Sequence, residues 1–280
     1  MRSAYPVIAF LFAAVVSSAA NADETPFASV YTTDVLPSGA KEIEQWLTWE
    51  NGRPFETYNR LEGRTEFEYG FTDNFQGSLY LNYDWIKNTP NTPAADTGFK
   101  DDTHFTGVSG ELIYRLADPY THPVGLALYV EPLIGADNRE IEFKALVQKN
   151  FLDDRLVLAG NGVLEYEWRK ANGEWGHNTE VKLLLGLSYR VAPNWFAGAE
   201  FQFKREFDGH IFSGESEAAA DSFFLGPVLH YTHQNWWLTA AAQAQLPTAG
   251  NLNGQLNETV DGYAHEEPRL SLRLRFGIEI

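Results

Sequence analysis

Charged side chains in this sequence recur at every second position. Glu140 and Glu142, Glu165 and Glu167, and Arg273 and Arg275 are each separated by a single residue, while Arg60 and Arg64 are four positions apart. In an extended chain even spacings put side chains on the same face. Such residues describe a charged wall. The acidic candidates for that wall are Glu111, Glu131, Glu140, Glu142, Glu165, Glu167, Glu180 and Glu200, and the basic ones are Arg60, Arg64, Arg269, Arg273 and Arg275. With a formal charge of −17, the chain favours cations over anions in any solvated interior and makes a poor partner for nucleic acid.

Other chemistries find little support. The histidines His104, His122, His177, His210, His230, His233 and His265 include no His-x-x-x-His or His-Glu-x-x-His pair, so no metal-ligand set is expected. No Gly-x-Ser-x-Gly marks a nucleophile, and there is no cysteine. The sequence therefore points to no catalytic residue, no metal and no cofactor. An enzyme of the lipid-modifying or proteolytic barrel type is the least favoured of three readings.

The elements that would carry the charged wall are strands. From Arg269 to Ile280, Leu270, Leu272, Leu274, Phe276, Ile278 and Ile280 alternate with Arg269, Ser271, Arg273, Arg275, Gly277 and Glu279. One face is apolar and the other charged, as in a strand with lipid on one side and water on the other. The same alternation recurs upstream, with Leu183, Leu185 and Leu187 against Glu180 and Lys182, or Leu79 and Leu81 against Ser78 and Tyr80. Tight turns are expected at Thr72–Asn74, Leu152–Arg155, Ala192–Asn194 and His233–Asn235. Long polar loops are expected at Lys87–Asp102, Lys170–His177, Asp208–Asp221 and Gly250–His265. Aromatic residues on the apolar face gather near the strand ends in two bands. These features predict an all-β fold, a transmembrane antiparallel up-and-down β-barrel of about twelve strands.

Met1–Ala22 reads as a signal peptide, with Arg2, an apolar run from Val7 to Val16 and an Ala20-Asn21-Ala22 cleavage site. Residues 23–40 read as a periplasmic lead-in and 41–280 as the barrel. The expected location is the outer membrane of a Gram-negative bacterium. Expected partners are outer-membrane lipid and lipopolysaccharide, the barrel-assembly machinery and small solutes.

The run Tyr31 to Glu42, then Glu44-Gln45-Trp46 and the stretch Glu66 to Asn74, resembles a proteobacterial outer-membrane barrel family that is a domain of unknown function. Its Tyr-Gly-x-Thr-Asp turn, here Tyr69 to Asp73, is similar to that of MetA-type phenol-degradation barrels. The resemblance implies the barrel fold and supplies no activity.

On these grounds the chain reads as a narrow passive channel for small neutral or cationic solutes. The competing reading is a plugged structural or adhesive barrel without transport. Closure of the barrel should bring Arg269, Arg273 and Arg275 beside Glu42, Glu44 and Glu50, leaving the opposite wall, with Glu131, Glu140, Glu142, Glu165 and Glu167, acidic.

Overall fold

A computed structural model describes residues 25–90, 100–171, 173–212, 217–247, 259–260, 262–264 and 266–280. The expected signal peptide and the central parts of several long loops lie outside the described residues.

Alternating side chains make one amphipathic ribbon after another. In chain order these are β1 (Lys41–Arg53), β2 (Glu56–Thr72), β3 (Phe75–Pro90), β4 (Lys100–Ala117), β5 (Gly125–Ile134), β6 (Asn138–Phe151), β7 (Leu156–Ala171), β8 (Glu174–Ala192), β9 (Trp195–Asp208), β10 (Glu217–His233) and β11 (Trp236–Gln245). A small hairpin, β12 (Thr259–Val260) with β13 (Tyr263–Ala264), precedes the last strand, β14 (Leu270–Glu279). Each wall strand pairs antiparallel with its sequence neighbour, and β14 returns to pair with both β11 and β1. The result is a closed barrel of twelve strands with the hairpin outside the wall. Closure satisfies every strand edge, which a sheet in hydrocarbon requires because no water is there to pair with a free N–H or C=O.

The seam fixes the register. Glu44 pairs with Gly277, Trp46 with Arg275, Thr48 with Arg273 and Trp49 with Leu272. A slip of one residue would turn the charged set toward lipid, so the amphipathic pattern itself locks the pairing. Leu79, Leu81, Leu128, Leu183, Leu185, Leu187, Leu272 and Leu274 lie exposed on the outer face, while Glu42, Glu44, Glu66, Glu111, Glu180 and Glu200 are buried inside. The barrel is thus apolar without and polar within, the reverse of a soluble β-protein.

The start of β1, the end of β14 and the tight turns share one end of the barrel. Aromatic rings form a belt there. Phe71 stacks on Phe75 at 5.3 Å and Phe75 approaches Tyr114 at 6.3 Å; further round, Trp195, Tyr231, Trp236 and Phe276 follow one another at 4.7, 5.4 and 6.2 Å. Rings of this kind suit the lipid–water boundary, where an apolar body and a polar edge are both accommodated.

The long-loop end differs from the sequence reading in one respect. The expected loop Lys170–His177 is a tight connection between strands, since β7 runs to Ala171 and β8 resumes at Glu174. Likewise β10 begins at Glu217, inside the expected loop Asp208–Asp221. These strands have 16, 19 and 17 residues, whereas about 9–11 tilted residues suffice to cross a bilayer. In β7 and β8 the surplus, residues 169–171 and 174–177, extends past the apolar band and is exposed on both faces, while at the start of β10 Ala220 and Asp221 are buried. There pairing persists and the hydrophobic alternation that announces a strand is absent.

Candidate functional site

The lumen is not left to water along its whole length. Residues 25–36, ahead of β1, fold back into the barrel from the tight-turn end. Phe27, Ala28, Val30, Val35 and Leu36 are all 2% exposed or less, deeper than most wall residues. These residues form an internal plug. Two apolar clusters seat it. Phe27, Ala28 and Val30 pack with Val157, Ala159, Val163, Leu184, Val228 and Ala241, and Val35 packs with Ile113, Ala127, Tyr129 and Leu146. Gly186 makes room for this contact, since a Cβ there would come within 2.6 Å of the Phe27 ring.

The described part of the plug has no helix or strand, so its backbone polar groups depend on side chains of the wall. One oxygen of Glu200 accepts from three successive amides, those of Ala28, Ser29 and Val30, at 3.0, 2.7 and 3.1 Å. Asn161 imitates a strand partner: its Oδ1 accepts from the Tyr31 amide at 2.7 Å and its Nδ2 donates to the Tyr31 carbonyl at 2.8 Å. The Gln148 Oε1 accepts from the amide and hydroxyl of Thr33 at 2.7 and 2.9 Å, and that of Gln76 from the Leu36 amide at 2.6 Å. Arg273 donates to the Ala28 carbonyl and the Ser29 hydroxyl at 3.4 and 3.2 Å. Beside this rail burial pushes the Asp34 carboxyl up to about 6, against a 3.1 Å hydrogen bond from Gln148 that favours the charged form.

Beyond the plug a cavity of about 780 Å³ occupies the long-loop half of the lumen. Ser29, Tyr31 and Trp46 reach it from the plug side, and charged side chains make its walls. Of the residues singled out from sequence, Arg60, Arg64, Glu131, Glu140, Glu142, Glu165, Glu167, Glu180 and Arg273 line it. Glu111 and Glu200 also point inward but are covered by the plug, Glu111 accepting a hydrogen bond from Tyr31 at 3.2 Å and Glu200 holding the amides described above. Arg275 is buried beside them, its Nη2 at 2.9 and 3.2 Å from the two oxygens of Glu44. Arg269 sits at the other end of the seam with its guanidinium 3.5 Å above the Tyr263 ring.

The expected division of the lumen into a neutral seam and an acidic far wall is not what the side chains make. At the seam Arg275 meets Glu44, whereas Arg273 turns to Thr48 at 2.9 Å and to the plug. On the far wall Lys144 lies 2.8 Å from Glu142, and Lys182 lies 2.6 Å from Glu165 and 2.8 Å from Glu180. Lys204 bridges Glu180 and Glu267, the latter at 2.7 Å, and Arg64 pairs with Glu131 across the lumen. The cause is geometric. Inward residues at one height on adjacent strands are near neighbours, so Lys182 reaches Glu165 and Lys204 reaches Glu180 from the next strand, while Lys144 and Lys182 also meet the carboxylate two residues earlier on their own strand. Acidic groups still outnumber basic ones around the cavity.

Residues 19–280 match a protein family described as a family of unknown function, DUF6662. The chain belongs to that family. No curated protein matches its sequence. Several solved structures share the fold of this DUF6662 barrel. The COG4313 outer membrane channel from Pseudomonas putida F1 aligns over 89% of this chain and 98% of its own, at 12% identity and a TM-score of 0.60. The NanC porin aligns over 85% and 100% at 9% identity and a TM-score of 0.53. The β domain of the Bordetella autotransporter BrkA aligns over 87% and 100% at 12% identity, also with a TM-score of 0.53. At such identities the likeness is one of fold.

Proposed function

We propose that this DUF6662 barrel resides in the outer membrane of a Gram-negative bacterium. There it is a narrow passive channel for small neutral or cationic solutes, with its own N-terminal segment as the closing element. The observation that carries this reading is the 780 Å³ charged cavity inside a closed wall, blocked at the tight-turn end by an internal segment that is not part of the wall sheet. A strand cannot leave a closed sheet without unpairing. A plug held by side-chain hydrogen bonds can leave and return. Fold likeness to an outer membrane channel and a porin agrees with transport, and the outer apolar face with surroundings of lipid and lipopolysaccharide after delivery by the barrel-assembly machinery.

Solute preference follows from the acidic excess of the lining. Negative potential in a low-dielectric pore concentrates cations. A KCl gradient across a planar bilayer should give a reversal potential of cation-selective sign, and Glu165→Gln with Glu167→Gln should move it toward zero. An anion-selective sign would refute the solute assignment.

A second reading, a permanently plugged structural barrel, is favoured by the depth at which Phe27 and Val35 are buried. It differs from the first in requiring that the plug never leave.

A further inference from the structure

We propose that Glu44, Glu66 and Glu68 hold a divalent cation of the calcium class near the tight-turn end of the lumen. Glu44 on β1 pairs in register with Glu66 on β2, and Glu68 follows Glu66 on the same inward face. One carboxylate oxygen from each lies within 4.8 Å of the others, and the three residues are 2%, 1% and 4% exposed. Oxygens bound to one ion at the calcium distance of about 2.3–2.6 Å can stand up to about 5 Å apart, whereas magnesium at about 2.1 Å demands a tighter set.

The donors around the cluster leave a gap that a cation fits. Glu44 accepts from Arg275 at 2.9 Å and from the Trp46 indole at 2.6 Å, and Glu68 accepts from Gln76 at 3.3 Å. Both oxygens of Glu66 are buried with no N–H or hydroxyl group donating to them, and the carboxyl group of Glu68 lies against them. A buried carboxylate without a donor is strongly unfavourable unless it is neutralised or coordinates a metal. Arg275 answers the charge of Glu44, and a divalent ion would answer that of Glu66. The second acidic group of the lumen, Glu140, Glu165 and Glu167, has the same compactness but is served by protein cations, with Lys182 at 2.6 Å from Glu165 and Arg169 at 3.0 Å from Glu167. Gln76 connects the proposed site to the plug, since its amide nitrogen donates to Glu68 while its carbonyl oxygen holds the Leu36 amide.

The site is tested by terbium luminescence on the refolded mature chain in detergent, excited through tryptophan, because the Trp46 indole lies against Glu44. One sensitised Tb³⁺ per chain should be displaced by Ca²⁺ at lower concentration than by Mg²⁺. Glu66→Gln should weaken binding at least tenfold, while Glu167→Gln leaves it unchanged. Calcium should also raise the thermal midpoint of the wild-type chain, as any ligand of the folded state does. Wild-type protein without a calcium-displaceable site would overturn the proposal, as would Glu66→Gln binding like wild type. If Glu66→Gln fails to refold, the wild-type stoichiometry and calcium-dependent midpoint decide alone; no binding there means that the carboxylates share protons instead. None of these readouts depends on ion passage.

Discussion

Glu200→Ala is expected to raise the ratio of open to plugged barrels by about 30- to 150-fold. The carboxylate oxygen it removes accepts from the amides of Ala28, Ser29 and Val30, which in the docked plug then have no acceptor. Hydrogen bonds to a charged group contribute about 1.5–3 kcal/mol each. Three sharing one oxygen do not add, and the undocked amides recover water, so a net loss of about 2–3 kcal/mol in docking is the reasonable scale. Gly186→Val should act in the same direction by a different route, by driving a side chain into the Phe27 ring while leaving the wall pairing of β8 intact. In planar bilayers both variants should open far more often than wild type, and their β-sheet circular dichroism should match it. Wild-type conductance in both would show that this contact does not govern the lumen.

Leu183→Arg carries the largest expected effect on the fold itself. Leu183 lies on the outer face of β8, opposite Gly162 and Phe203 in the neighbouring strands, well inside the apolar band. An arginine near the bilayer midplane of a barrel costs about 2–4 kcal/mol. Folding into vesicles, followed by the mobility shift of unheated samples on SDS gels and by urea titration, should show that loss. The same substitution at Trp175, on the outer extension of β8 beyond the apolar band, should cost much less. Equal losses would mean that the membrane does not lie where the leucines place it.

The outer face of the barrel was legible because lipid imposes a strict period of two, and residues such as Leu270 to Ile280 have little freedom to depart from it. The extensions of β7 and β8 were not, since wet strands need no alternation, nor was that of β10, whose run Ala218-Ala219-Ala220 has none. The plug was hidden for a related reason. A segment without secondary structure of its own has no period, and 25–36 takes its order from the wall. The wall did carry a sign of it. Ile113, Ala127, Leu146, Val157, Ala159, Leu184, Val228 and Ala241 are apolar at inward positions, which a water-filled lumen gives no reason to hold. Of the ion pairs of the lumen, Glu142 with Lys144 and Glu180 with Lys182 are two residues apart on one strand, whereas only the register brings Lys182 to Glu165.

The claim that the N-terminal segment closes a conducting barrel is tested most directly by removing it. Single-channel conductance of the chain from residue 23 onward should be compared with that of the same chain lacking residues 25–36, both refolded and inserted in planar bilayers. The shortened chain should give a long-lived open level severalfold above the brief or small openings of the full chain. A shortened barrel that is folded, inserted and as silent as the full one would contradict the account and leave a structural barrel.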